Sequence, residues 1–342
     1  MKRFSKIILV LVTVALLTVS FAACGLVNDT EIVEAVKIQK QTVLTIADDI
    51  DISGGYFGWY FSNAYNNARA KAQSQANSDG DVSSAITDVE LNIDINEVKK
   101  EAIDNIAKTK MACLKAKEEG ITLTSYDYKN IDAQIEQYRE NMLTNLKQQG
   151  INISYTEYLN AMNTNPDAVA QAIEDEYLAA LYYSTFVKDD YVTVKHILVQ
   201  FGDGERTKEE ARTIANDIKS QLDSGADFDK LMNEKSEDTG VGGKVNNPQG
   251  YTFTKDGSMV APFEAAAFTL SEGSISDLVT VEGDEYGYEG FHILKRVATN
   301  LSDIAPALRV TEEIEQQREK LIKDIKTEET AKMKYFENIY TK

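Results

Sequence analysis

Cysteine and histidine are scarce in this chain of 342 residues, which has two of each. The cysteines are Cys24 and Cys113. Cys24 closes a leader-like segment, so Cys113 is left without a partner and no disulfide framework can be built. Cys113 falls at an apolar position of a predicted helix and reads as a buried packing thiol. Two histidines with no third ligand spaced for them argue against a zinc centre, and no other metal is expected. Basic residues are also in deficit. Lys and Arg total 36 against 55 Asp and Glu, a formal net charge of −19. Nucleic-acid binding needs a basic footprint, so that class is excluded. The acidic surplus reads as plain solubility. Gly240-Val-Gly-Gly243 is not a dinucleotide fingerprint, because no strand precedes it and it caps no helix. No cofactor is expected.

What is present is enough for two folded domains, with 43% hydrophobic and 27% charged residues. The chain opens with a basic run, Met1 to Lys6, then apolar Ile7 to Ala23, then Cys24-Gly25. This is the plan of a secretory signal. Phe21-Ala22-Ala23-Cys24 resembles a bacterial lipobox, with Phe in place of the usual Leu, so Cys24 is the expected lipidation site. An ordinary cleaved signal and an uncleaved anchor are the alternatives. Lipid chains on Cys24 would supply the multiple attachment that stable anchoring needs. Residues 1–23 are then a signal peptide and 24–41 a tether.

Residues 42–190 read as a helical domain without visible chemistry. Thr42–Ile46 is a strand, and Ser53 could cap a helix holding Tyr56, Phe57, Trp59, Tyr60 and Phe61, an aromatic cluster that reads as core or interface. Gln73 to Asp88 reads as a mobile loop. Ile103, Ala107, Met111 and Leu114 mark a helix that Gly120 stops. A second helix, about Tyr126 to Gln149, ends at Gly150. Ser154-Tyr-Thr-Glu157 is a capping box, and a last long helix runs from Asp167 to Lys188.

Residues 191–299 carry the chemistry. Val192-Thr-Val-Lys-His196-Ile-Leu-Val-Gln200 and Gly290-Phe-His292-Ile-Leu-Lys-Arg-Val297 both read as strands, and each bears one of the two histidines. Between them lie Gly225-Ala-Asp-Phe228, Ser236-Glu-Asp238, Gly242-Gly243 and Met259-Val-Ala-Pro-Phe263. In this order the six motifs resemble the parvulin-type peptidyl-prolyl isomerases. With the lipobox and the helical flanks, the whole chain looks like the PrsA-type foldase lipoproteins, which are related to SurA-like chaperones.

That resemblance implies an α+β fold: a parvulin-like module, a four-stranded antiparallel sheet with flanking helices, inserted in a mostly α-helical chaperone body. Residues 300–342 would return to pack on the N-terminal domain. It also implies a function, the isomerisation of X–Pro bonds in unfolded or exported client polypeptides at the extracellular face of the cytoplasmic membrane. A homodimer is compatible with this reading. His196, Asp238 and His292 would be the catalytic set, the two imidazoles sharing a hydrogen bond and Asp238 standing near the prolyl carbonyl. Met259, Phe263 and Val245 would hold the proline ring. Met259 and Phe263, four apart, would lie on one helical face and should be open to solvent. Ordinary alternatives stand beside these: a structural histidine pair, a carboxylate loop cap, and core packing.

Two departures weigh against catalysis. The family's Gly-Gly-Asp-Leu-Gly becomes Gly242-Gly-Lys-Val-Asn246, and a threonine usual near the second histidine is replaced by Val281, with Thr280 adjacent. The rival reading is therefore a holdase chaperone whose parvulin module is only a scaffold.

Overall fold

The computed structural model describes residues 29–78, 93–202, 206–283 and 287–339. The signal segment and Cys24 lie outside them. Among the described residues, no helix is long and apolar enough to cross a membrane. The chain divides into two compact units, one made of residues 1–186 and 308–342, the other of 187–307.

The first unit is mostly helical. Helix α1 (Asp29–Gln39) is followed by strands β1 (Thr42–Ile46) and β2 (Ile50–Ser53). Five helices come next: α2 (Gly54–Ser78), α3 (Ile95–Glu118), α4 (Ser125–Gln148), α5 (Tyr155–Ala161) and α6 (Pro166–Val187). Two of the expectations for this region are corrected. Residues 29–39, assigned to a tether, form α1, because Ala35 and Gln39 are buried and the Gln39 side chain donates to Asn160 Oδ1 at 3.2 Å. Of the loop expected over Gln73 to Asp88, residues 73–78 are helical, since polar and alanine-rich sequence continues a helix as readily as it leaves one, and residues 79–88 lie outside the described residues. The punctuation reads true. Gly120 and Gly150 have φ of 75° and 74°, the left-handed backbone that ends a helix, and Ser154 and Glu157 close a capping box on α5.

The segment after residue 307 completes this unit. It holds α11 (Glu312–Ile322), β7 (Thr327–Glu329) and α12 (Lys334–Ile339). Strand β7 pairs with β1, giving a three-stranded antiparallel sheet in the order β2-β1-β7. Phe336 is fully buried, its ring centroid 4.8 Å from Phe57 and 6.0 Å from Phe61. Lys108, on α3, donates to Glu315 and Glu319 of α11 at 2.9 and 2.5 Å.

The second unit is α+β. Its elements are β3 (Tyr191–Phe201), α7 (Lys208–Asp223), α8 (Phe228–Lys235), β4 (Tyr251–Thr254), α9 (Ala261–Thr269), β5 (Val279–Val281), β6 (Glu289–Val297) and α10 (Leu301–Ile304). The four strands form an antiparallel sheet in the order β4-β3-β6-β5. The unit reaches past the expected limits of 191 and 299. Ile304 and Ala305 are buried, and the Tyr191 hydroxyl donates to Ala307 O at 3.3 Å. Strand periodicity sorts the side chains. Ile197, Val199, Phe201, Phe291 and Ile293 pack under α7 and α8. Val192, Val194 and Leu294 pack with Phe263 and Ala267 of α9 on the opposite face. The histidines share the parity of this second set.

Candidate active site

Strand register brings the histidines together. His196 lies opposite Leu294, and Leu198 lies opposite His292, so the two imidazoles are diagonal neighbours on one face of the sheet. Gly290 opens room for this arrangement, because a Cβ there would sit 2.6 Å from Leu198 Cδ1. The two Nδ1 atoms are 2.9 Å apart, and the rings stack at 16° with centroids 5.1 Å apart.

The Ser236–Asp238 loop is strapped to the stretch of β3 that runs beyond β4. Leu198 N donates to Ser236 Oγ at 3.2 Å, Glu237 N donates to Leu198 O at 2.9 Å, and Gln200 N donates to Glu237 Oε2 at 2.6 Å. Arg206 holds the other oxygen of Glu237 at 2.8 Å. The strap sets Asp238 Oδ2 2.7 Å from His196 Nε2.

Three further side chains, not foreseen from the sequence, join this set. The Tyr251 hydroxyl donates to Asp238 Oδ2 at 2.6 Å, and Asn246 Nδ2 donates to Asp238 Oδ1 at 2.8 Å. The Tyr288 hydroxyl lies 3.1 Å from His292 Nε2. Parity was the available signal: Tyr288 and His292 lie an even number of residues apart, and Tyr251 pairs with Val194 on the face that His196 shares. Asn246 follows from loop closure, which the sequence does not reveal.

One proton per ring satisfies every one of these contacts. His196 Nε2–H donates to the Asp238 carboxylate, leaving its Nδ1 to accept from His292 Nδ1–H. His292 Nε2 then accepts from Tyr288. The hydrogen bond from His196, then those from Tyr251 and Asn246, hold the Asp238 carboxyl well below the usual carboxylate range, against the effect of burial. Burial first, and His196 second, push His292 down to about 3, so it is neutral. Burial and then the hydrogen bond to Asp238 push Tyr251 up to about 12. Tyr288 is raised by burial and then by the Asp238 charge.

The expected ring-binding residues are distributed differently from their prediction. Helix α9 begins at Ala261 with Pro262 in its first turn, so Met259 precedes the helix and shares no helical face with Phe263. Val260, with ψ of 135°, is the N-cap, and Pro262 sits in the first turn, where its missing N–H costs no helical hydrogen bond. Phe263 is 4% exposed, sealed edge-on against both imidazoles at 5.3 Å. Met259 is half-buried beside it. Val245 packs with the cluster under α7 and α8 rather than with Met259 and Phe263. The residue opposite His292 on β5 is Val279; Val281 is buried opposite Gly290, and Thr280 opposite Phe291. The arrangement is thus a fixed carboxylate and two hydrogen-bonded imidazoles above an aromatic floor, with a half-open apolar lip. Among the described residues, no group of His, Cys, Asp or Glu could hold a metal ion.

Comparison with known proteins points to the same region. Residues 181–298 match the model of the family described as "PPIC-type PPIASE domain". Foldase protein PrsA of Geobacillus sp. (strain WCH70) is 35% identical over 151 residues, 40% of this chain and 47% of that protein. Chaperone SurA of Burkholderia pseudomallei (strain 1710b) is 34% identical over 103 residues, 30% of this chain and 21% of that protein. The chain therefore spans less than half the length of these curated relatives. The crystal structure of PrsA from Bacillus subtilis aligns at 19% identity over 67% of this chain and 86% of that one, with a TM-score of 0.29, too loose to carry an argument.

Proposed function

Residues 181–298 belong to the PPIC-type, or parvulin, family of peptidyl-prolyl isomerase domains, and on that premise we propose that the chain is a foldase that turns X–Pro bonds in client polypeptides. Rotation about that bond meets a resonance barrier of about 18–20 kcal/mol. No bond is broken, so catalysis needs only a site that favours the twisted amide over the planar one. The planar amide places partial negative charge on its oxygen. A carboxylate held ionised beside that oxygen disfavours the planar form. The Met259 lip would grip the pyrrolidine ring, and the hydrogen-bonded imidazoles would present fixed tautomers to the turning amide. The observation that carries this reading is the hydrogen-bonded set of Asp238, His196 and His292 on one sheet face.

A second reading has its own support. Phe263 is sealed in this structure, which suits a holdase whose parvulin unit is a scaffold. Proline-limited refolding of a client with the full chain separates the two. Acceleration that Asp238→Ala abolishes supports the isomerase. Suppressed aggregation without acceleration, unchanged in Asp238→Ala, supports the holdase and overturns the isomerase.

The proposed place of action is the extracellular face of the cytoplasmic membrane, through lipid on Cys24. The lipobox-like Phe21–Cys24 supports it. Mass spectrometry of the N-terminal peptide from cells should find a diacylated Cys24. A peptide that begins elsewhere or lacks lipid would remove the anchor.

A further inference from the structure

The loop that departs from the family pattern, Gly242-Gly-Lys-Val-Asn246, and the strand that follows it both end on Asp238. The route is local. Thr239 and Val245 form an isolated antiparallel bridge, Gly240 N donates to Lys244 O at 2.8 Å, and Asn246 N donates to Asp238 O at 3.0 Å. Gly242 and Gly243 make the reversal with φ of 78° and 69°. This short ribbon folds the Asn246 side chain onto Asp238 Oδ1 at 2.8 Å. A second turn, closed by Gly250 N to Asn247 O at 2.8 Å, then starts β4. Tyr251 is the first residue of β4 and pairs with Val194. Its ring stands edge-on to His196 at 5.4 Å, and its hydroxyl reaches Asp238 Oδ2 at 2.6 Å.

We infer that Asn246 and Tyr251 are positioning residues that clamp Asp238 as a permanent anion and thereby fix the tautomers of both imidazoles. The inference rests on the isomerase reading for its purpose, though not for its geometry. Both carboxylate oxygens are occupied by donors. Oδ2 accepts from His196 and Tyr251, and Oδ1 accepts from Asn246. A carboxylate so engaged has no reason to take a proton, and it orients His196 Nε2–H as the outward donor. His196 Nδ1 is then obliged to accept from His292, and His292 Nε2 from Tyr288. The choice of tautomer along the whole line is made at the Asp238 end. The loop substitution, which from sequence alone weakens the case for catalysis, thus supplies a donor to the site.

The clamp also has a functional consequence. The half-buried Asp238, 19% exposed at its side chain, would hold its charge into acid conditions where an unclamped carboxylate begins to neutralise. The groups that face Asp238 from every neighbouring element are His196 on β3, Tyr251 on β4 and Asn246 on the loop, with Tyr288 and His292 acting electrostatically from the β6 side. Among the described residues, no carboxylate besides Asp238 itself is in this set.

The test uses the full chain with ¹³C-labelled aspartate and ¹⁵N-labelled histidine. Two histidines make the ring signals assignable with one His196→Gln control. In the unsubstituted chain the ¹⁵N pattern should show a proton on Nε2 of His196 and on Nδ1 of His292. Tyr251→Phe removes only a hydroxyl and keeps the ring contact, so the fold should persist; Asn246→Ala tests the other arm. Each should raise the Asp238 carboxyl midpoint by about one pH unit, the size expected for losing one donor to a charged carboxylate. Together they should carry the acid range in which the histidine tautomers begin to mix upward by about two pH units. The acid limb of isomerase activity should move upward by the same amount. An unchanged carboxyl midpoint in both variants, or an unchanged acid range of tautomer mixing in the double variant, would overturn the clamp. If the midpoints move while the unsubstituted chain accelerates no prolyl isomerisation, the clamp stands and the proposed activity fails.

Discussion

His196 and His292 lie 96 residues apart in the chain and share one hydrogen bond, Nδ1 to Nδ1 at 2.9 Å. The pairing is produced by register. A slip of one residue between β3 and β6 would send one imidazole under α7 and α8 and leave the other facing α9. The two rings also share a cost, because His292 is almost fully buried with a second imidazole beside it. That cost makes the pair visible in the pH dependence of stability.

In the folded chain His292 does not take a proton until about pH 3, whereas an unfolded histidine takes one near pH 6.5. Between these values the unfolded state binds more protons, so stability is full above the upper value and falls as pH falls through the window. The slope is at most about 1.4 kcal/mol per pH unit for one proton. Amide-exchange protection factors of β3 and β6 should therefore decline from pH 6.5 to pH 4. His292→Gln should flatten that decline. Equal slopes in the two proteins would show that His292 is not the group responsible.

The helical unit should respond in the opposite direction. Burial first, then the Asp175 charge, pushes the Glu176 carboxyl up to about 7, while Tyr60, Trp59 and Arg318 pull it down. A carboxyl raised in the folded state contributes stability below its unfolded value of 4.5 that is lost as pH rises through 7. Trp59 is the single tryptophan, is 3% exposed and belongs to this unit, so its fluorescence reads this unit's unfolding. The urea midpoint by that signal should fall from pH 5 to pH 8, and Glu176→Gln should remove the trend. A midpoint that rises with pH would contradict the assignment.

The strands with both histidines were legible because the sequence carries them as β-branched runs, and the helix stops because Gly120 and Gly150 had no other use. Loop closure was not legible. Nothing in Gly242–Asn246 says that a bridge between Thr239 and Val245 will turn Asn246 toward Asp238. The spacing of Met259 and Phe263 misled for a related reason. A four-residue interval means one face only inside a helix, and α9 begins between them, at Ala261. Tyr288 was hidden among the acidic residues that precede β6 in the sequence, where composition outweighed its even offset from His292.

The C-terminal segment should be indispensable to the helical unit. Phe336 is 0% exposed and fills the space between Phe57 and Phe61. Phe336→Ala should cost about 3–5 kcal/mol, the range for emptying an aromatic core position. Lys108, 8% exposed, is held by two carboxylates of α11 that are themselves partly in water, so Lys108→Ala should cost less, about 1 kcal/mol. Urea unfolding followed by Trp59 fluorescence checks both. A loss under 1 kcal/mol for Phe336→Ala would mean that the segment is only draped on the unit.

Met259 and Phe263 should separate binding from stability, since they differ in exposure while sharing one apolar cluster. Phe263 is wedged against His196, His292 and Phe253, so Phe263→Ala removes the floor and should cost about 3–5 kcal/mol. Any loss of isomerase activity in that variant would be confounded by unfolding. Met259 precedes α9 and is half-buried, so Met259→Ala should leave the amide-exchange pattern of β3 and β6 intact and cost about 1 kcal/mol. A side chain that grips a proline ring in the twisted state should, when truncated, lower kcat/KM about five- to tenfold, equivalent to one or two buried methylene groups. Measuring kcat/KM on a short X–Pro peptide, with protection factors from the same preparations, decides the matter. Full activity in Met259→Ala would move the ring-binding surface away from the Met259 lip.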